Sequence, residues 1–183
     1  MTERSDLANL RALGEPRIHE WAGASDPIGA GLVEWTRLAV SHDQALAVRS
    51  ALGACALVAG EFRGSEAAGS RKYVDDMLAA IGRWLADPSA EHREAVRSSL
   101  DFTRQRHAWQ TEEDDAQFWI REAVDHACLT VWAGDRASYI IPVDFATTAG
   151  RVIACVFHAL RTSGHGEQRA ADAVIDVVLK VTA

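Results

Sequence analysis

The sequence predicts an all-α fold, a single compact bundle of about seven or eight amphipathic helices with a central helical hairpin, spanning residues 1–183 as one domain. Three observations point that way. Apolar residues recur at three- and four-residue spacing through most of the chain, as helices with one buried face require. Short polar residues followed by proline or acidic residues stand immediately before several of these runs, where helix starts need them. Strand propensity is confined to Ser138–Pro142, too short and isolated for a sheet, and this stretch reads as an extended linker.

The hairpin is the clearest element. Val74, Met77, Leu78, Ile81, Trp84 and Leu85 form one stripe, with Asp75, Asp76 and Arg83 falling between them. Asp87-Pro88-Ser89 ends the run and offers Ser89 as an N-cap, with Glu91 in the first turn, where a carboxylate favours the exposed amides and the dipole. The next helix has a thinner stripe (Val96, Leu100, Thr103) and many charges, so Tyr73–Ala108 reads as one inner arm and one outer arm.

The remaining elements follow in order. Ser5 or Asp6 caps a short helix carrying Leu7, Leu10 and Leu13, ended by Gly14 and Pro16, and Ile18–Trp21 adds a turn; Met1–Ser25 is expected to be peripheral. Asp26-Pro27 starts a helix with Ile28, Leu32, Trp35 and Ala39 on one face, reaching about Ser41. Gln44 to Phe62 is apolar on most sides, which predicts a central position. Gly64–Ser70 is a connector. Thr111 caps a helix opening on Glu112-Glu113-Asp114-Asp115, whose buried side is expected to comprise Phe118, Trp119, Val124, Ala127, Cys128, Val131 and Trp132, with Gly134 as its stop. Asp144 opens a helix through Val152, Ile153, Val156, Phe157 and Leu160, broken by Thr162–Gly166. The last helix begins near Glu167 and buries Ala170, Ala171, Val174, Ile175, Val178 and Leu179.

Composition narrows the function. A net charge of −7 argues against a nucleic-acid phosphate footprint and accommodates a basic protein partner more easily. No apolar run reaches a membrane span of about 18 residues, and the first residues lack a secretory pattern, so the expectation is a cytoplasmic protein. Cys55, Cys128 and Cys155 are odd in number and widely spaced, which predicts buried free thiols; each follows alanine, as expected where helices cross closely.

Candidate sites are few. His126 lies four residues after Glu122 and His158 three after Cys155, so each pair shares a helix face and the two faces could line a metal site between helices. The chain has no Glu-x-x-His motif of a di-iron bundle, and a histidine on an alanine-rich helix commonly serves packing. His42-Asp43 has the dipeptide of metal-dependent phosphohydrolases, with His19 and Asp144 as conceivable further ligands, but it also has the form of a helix start. These residues define the alternative reading, a metal-dependent helical-bundle enzyme of hydrolase type. No nucleophile motif occurs, and no cofactor is implied.

The most unusual polar stretch joins Arg104, Arg106 and His107 to Glu112, Glu113, Asp114 and Asp115 through Trp109. Dipole compensation at two helix ends accounts for the charges. An aromatic ringed by charge is also how protein-binding hot spots are built, so Trp109 and Glu112–Asp115 are the candidate partner surface. The six tryptophans, Trp21, Trp35, Trp84, Trp109, Trp119 and Trp132, mostly fall in phase with apolar stripes and read as core.

The Tyr73–Leu85 arm ending in Trp84-Leu85, the cap Pro88-Ser89-Ala90-Glu91, and the alanine-rich segments Ala123-Val124-Asp125-His126-Ala127 and Ala154-Cys155-Val156-Phe157-His158-Ala159 resemble those of small bacterial immunity proteins, which bind and neutralise the toxin made by their own cell. The resemblance covers the middle and C-terminal two-thirds of the chain as a pattern of helices. It implies one-to-one binding to a toxin domain and no catalysis. A homo-oligomer pairing through the outer hairpin is a third reading, which sizing by sedimentation tests.

Overall fold

The structure is a computed structural model that describes residues 3–18, 26–62, 69–107, 115–132 and 144–183. Among these residues there are eight α-helices and no strand. They are α1 (Leu7–Gly14), α2 (Pro27–Val40), α3 (Gln44–Val58), α4 (Gly69–Ala86), α5 (Ala90–His107), α6 (Asp115–Trp132), α7 (Phe145–Thr162) and α8 (Glu167–Thr182). Single 3-10 turns, Glu15–Arg17 and Ala59–Glu61, follow α1 and α3. No helix among the described residues is long and apolar enough to cross a membrane. The fold class is as the apolar periodicity predicts.

Local chemistry sets the helix starts. Asp6, Asp26, Asp43 and Asp144 each sit in extended backbone and accept a hydrogen bond from an amide of the first turn, which removes otherwise orphaned donors. Ser89 Oγ accepts from the His92 amide in the same way at the start of α5. The end of α7 is a Schellman turn: Gly164 takes φ +94° and the His165 amide reaches back to Leu160 O at 3.0 Å. A side chain at Gly164 would be strained, and this turn delivers the chain into α8.

The most enclosed helix is α7, and not α3. Every residue from Val152 to Leu160 is buried, so α7 is covered on all sides by α2, α3, α6 and α8, whereas α3 keeps Arg49, Ala56 and Leu57 exposed. Small residues make the enclosure possible. A Cβ at Gly150 would stand 2.5 Å from the Val33 carbonyl oxygen, so α2 and α7 cross backbone to backbone. The crossing of α1 on α2 is closer still: a Cβ at Gly14 would lie 1.8 Å from Pro27 O, and one at Gly31 would lie 1.9 Å from Leu10 O.

The α4–α5 hairpin is central in the chain and lateral in space. Its inner arm, α4, buries Val74, Met77, Ala80, Ile81 and Trp84 and packs on α6 and α3. The outer arm packs on α4 and α6 and buries Val96, and at Trp132 it gains a polar anchor: Arg93 and Arg97 lie over the ring, 4.6 and 5.4 Å from its centroid, and the indole N–H donates to Arg93 O at 2.9 Å. The N-terminal segment before α1 is tied to α8 by Arg4, whose guanidinium bonds Asp172 and Asp176. The expected turn over Ile18–Trp21, the connector Gly64–Ser70, Gly134 and the linker Ser138–Pro142 fall wholly or mostly outside the described residues, and Gly69 and Ser70 already belong to α4.

Candidate functional site

The richest polar chemistry gathers at one end of the bundle, where the start of α2, the first turns of α6, the end of α7 and the start of α8 meet. Asp26 is the node. Its Oδ1 caps α2, accepting from the amides of Ile28 at 2.9 Å and Gly29 at 2.8 Å. Its Oδ2 faces His158 Nε2 at 3.6 Å and Arg161 Nη1 at 3.3 Å. Neither Oδ2 contact has hydrogen-bond geometry, so the attraction there is ionic and dipolar.

His158 is 1% exposed, and its ring stacks on Trp119 with centroids 4.6 Å apart and planes inclined by 28°. Arg161 Nη2 approaches His158 Nδ1 at 3.3 Å. A guanidinium only donates, so Nδ1 is the acceptor and the ring proton sits on Nε2, toward Asp26. Arg161 extends the line to Glu167 at 4.0 Å, and Glu167 pairs with Arg11 at 2.8 Å. Four helices are thereby joined by alternating charges. An imidazole beside a carboxylate is half of an acid–base relay, but this ring is closed in by Trp119 and has both nitrogens turned to protein groups, so the arrangement locks helix ends together.

His126 is far along α6 from this end. It is buried, with Nε2 4.0 Å from Glu122 Oε2, and Glu122 also meets Arg121 at 3.1 Å. Asp125 beside it is buried as well. Cys155 on α7 faces this side of α6; burial first, then the charges of Glu122 and Asp125, push its thiol well above the ordinary range. Burial alone pushes Cys55 up to about 12. All three cysteines are fully enclosed and outside any disulfide, as their positions after alanine suggest, and burial keeps Cys55 and Cys155 as thiols rather than nucleophiles.

The His42-Asp43 pair separates into two roles. Asp43 Oδ1 accepts from the amides of Ala45 at 2.7 Å and Leu46 at 3.3 Å and so caps α3, while His42 is exposed on the turn before it. His42, His126 and His158 therefore occupy different parts of the bundle. Among the described residues no group of three or more histidine, cysteine and acidic side chains is placed to hold a metal ion.

Of the candidate partner surface, Trp109, Glu112, Glu113 and Asp114 lie outside the described residues, and Asp115 opens α6. The first part of α6 corrects the expected stripe. Phe118 is 39% exposed, because the inward positions are Ile120, Ala123, Val124, Ala127, Cys128 and Val131, with which residue 118 is out of phase. Its ring meets Trp119 edge-on at 5.0 Å, and Arg121 lies 5.5 Å from its centroid. The sequence carries a signal for this: residue 118 stands two before Ile120, on the opposite side of the helix.

Compared with family models, with curated proteins and with solved structures, the chain matches none.

Proposed function

We propose that this chain is a non-catalytic binding protein of the immunity type, which binds and neutralises a cognate toxin through a charged surface bearing Trp109 and Glu112–Asp115 and extending to Phe118. The observation that carries the reading is the exposed Phe118 ring, flanked by Arg121, in the first turn of α6 directly after that acidic run. Exposed aromatics beside charge are favoured as binding anchors, since they desolvate well and the surrounding charges orient the partner. A net charge of −7 suits a basic partner. The use of Asp26, Asp43 and His158 for caps and helix locking further supports a scaffold role. Under this reading the protein works in the cytoplasm of the producing cell.

The test starts from the gene's neighbourhood. The product of the reading frame directly upstream, made separately, should be captured one-to-one by this protein. Trp109→Ala and reversal of Glu112, Glu113, Asp114 and Asp115 to lysine should each weaken capture. Capture that survives both changes removes the proposed surface, and absence of any complex removes the immunity reading.

A further inference from the structure

A pocket of about 470 Å³ opens on the far side of α2, lined by Glu3, Arg4, Ser5, Asn9, Trp35, Leu38, Ala39 and His42. Its size falls within the range of small-ligand sites. One wall is apolar: Trp35 and Ala39 are buried beneath it, and Leu38 stands 56% exposed at its edge. The opposite wall is the segment before α1, held in place by the Trp35 indole N–H donating to Glu3 O at 3.1 Å and by Arg4 bonding Asp172 and Asp176 on α8.

The polar groups of the lining are not equivalent. Arg4 is balanced by two carboxylates of its own. The Glu3 carboxylate has no ion pair among the described residues, so it is the lining's open charge. Ser5 is only 8% exposed, lines the pocket, and its hydroxyl has no hydrogen-bond partner among the described residues. Although most of the residue is enclosed, its hydroxyl opens onto this space, where water or an entering polar group satisfies it. Asn9 adds a carboxamide beside these two.

An uncompensated carboxylate, a hydroxyl and an amide oxygen all accept hydrogen bonds, and they face an apolar wall. We propose that this pocket binds an organic cation with an apolar body: a primary ammonium or guanidinium placed among Glu3, Ser5 and Asn9, with its hydrocarbon portion against Trp35, Leu38 and Ala39. A small anion is disfavoured, because the arginine of the lining is already committed to Asp172 and Asp176 and Glu3 places a carboxylate beside it. The inference stands apart from the partner surface on α6.

The Trp35 indole N–H resonance reports the site directly, through its bond to the Glu3 carbonyl. Isoamylammonium, its neutral counterpart isoamyl alcohol, and N-acetyl-argininamide are titrated into the full chain at constant ionic strength. The ammonium should shift the resonance saturably and bind about tenfold more tightly than the alcohol, the difference a charge-assisted hydrogen bond makes. Glu3→Gln should weaken the ammonium about threefold, as expected for an exposed carboxylate, while Glu15→Gln, an exposed carboxylate outside the lining, leaves it unchanged. Tighter binding of the ammonium identifies a free amine as the occupant class, and tighter binding of the argininamide identifies a basic side chain. Equal binding of alcohol and ammonium, equal effects of the two glutamate variants, or no saturable shift would overturn the proposal.

Discussion

Asp26 and His158 face one another at 3.6 Å, carboxylate oxygen to imidazole nitrogen, and the same carboxylate caps α2 through its other oxygen. One side chain thus fixes the start of a helix and ties it to the end of the most buried one. The two functions can be separated by substitution. Asn retains the cap but not the charge, and Ala retains neither. Asp26→Ala is expected to cost about 2–4 kcal/mol, combining a lost cap of about 1 kcal/mol with a buried His158 ring that loses the carboxylate facing its Nε2 and an Arg161 guanidinium left with Glu167 alone. Asp26→Asn is expected to cost about 1–2 kcal/mol. Urea unfolding of the two variants checks this, and equal losses would show that capping contributes nothing.

The backbone-to-backbone crossing of α1 on α2 makes Gly31 intolerant of any side chain. With a carbonyl oxygen 1.9 Å from the added Cβ, Gly31→Ala must separate the helices and is expected to cost about 3 kcal/mol or more. Gly82 on α4 has nothing within 4 Å of its would-be Cβ, and Gly82→Ala should stabilise by about 0.5–1 kcal/mol through helix propensity. Thermal unfolding of the pair should therefore give shifts of opposite sign.

Asp144 supplies a pH dependence with a defined direction. Desolvation raises its carboxyl, but the bonds it accepts from the Thr147 hydroxyl and amide, at 2.7 and 2.8 Å, together hold it below its ordinary value. The folded state therefore prefers the charged form. The contribution is complete above the unfolded value near about 4 and is lost as pH falls through the lower folded value. Asp144→Ala is expected to cost about 1 kcal/mol at neutral pH, with the gap from wild type narrowing in acid. A gap that widens in acid would reverse the assigned sign.

Much of the fold is legible in the sequence because its determinants are local. Asp6, Asp26, Asp43, Ser89 and Asp144 cap helices through bonds to amides two or three residues away, so a short polar residue before an apolar run is enough to place them. The centre of the bundle is less legible. Gly150 and Ala154 add little hydrophobicity, yet their small size is what lets α7 be surrounded, and periodicity does not record how closely two backbones approach. The same limit applies to sites. His158 invites a metal reading on its own helix, and only the tertiary fold brings Asp26, Trp119 and Arg161 around it. Phe118 departs from the expected stripe for a simpler reason: adjacent helical positions point about 100° apart, so Phe118 and Trp119 do not share a face.

The proposed recognition through the outside of the bundle can be tested at Phe118 without disturbing the interior. Calorimetric titration of the upstream gene product into wild type and Phe118→Ala, with urea midpoints measured on both, is the most direct measurement. Phe118→Ala is expected to weaken affinity about tenfold or more with an unchanged midpoint, as for an exposed anchor. Equal affinity for the two proteins would contradict it.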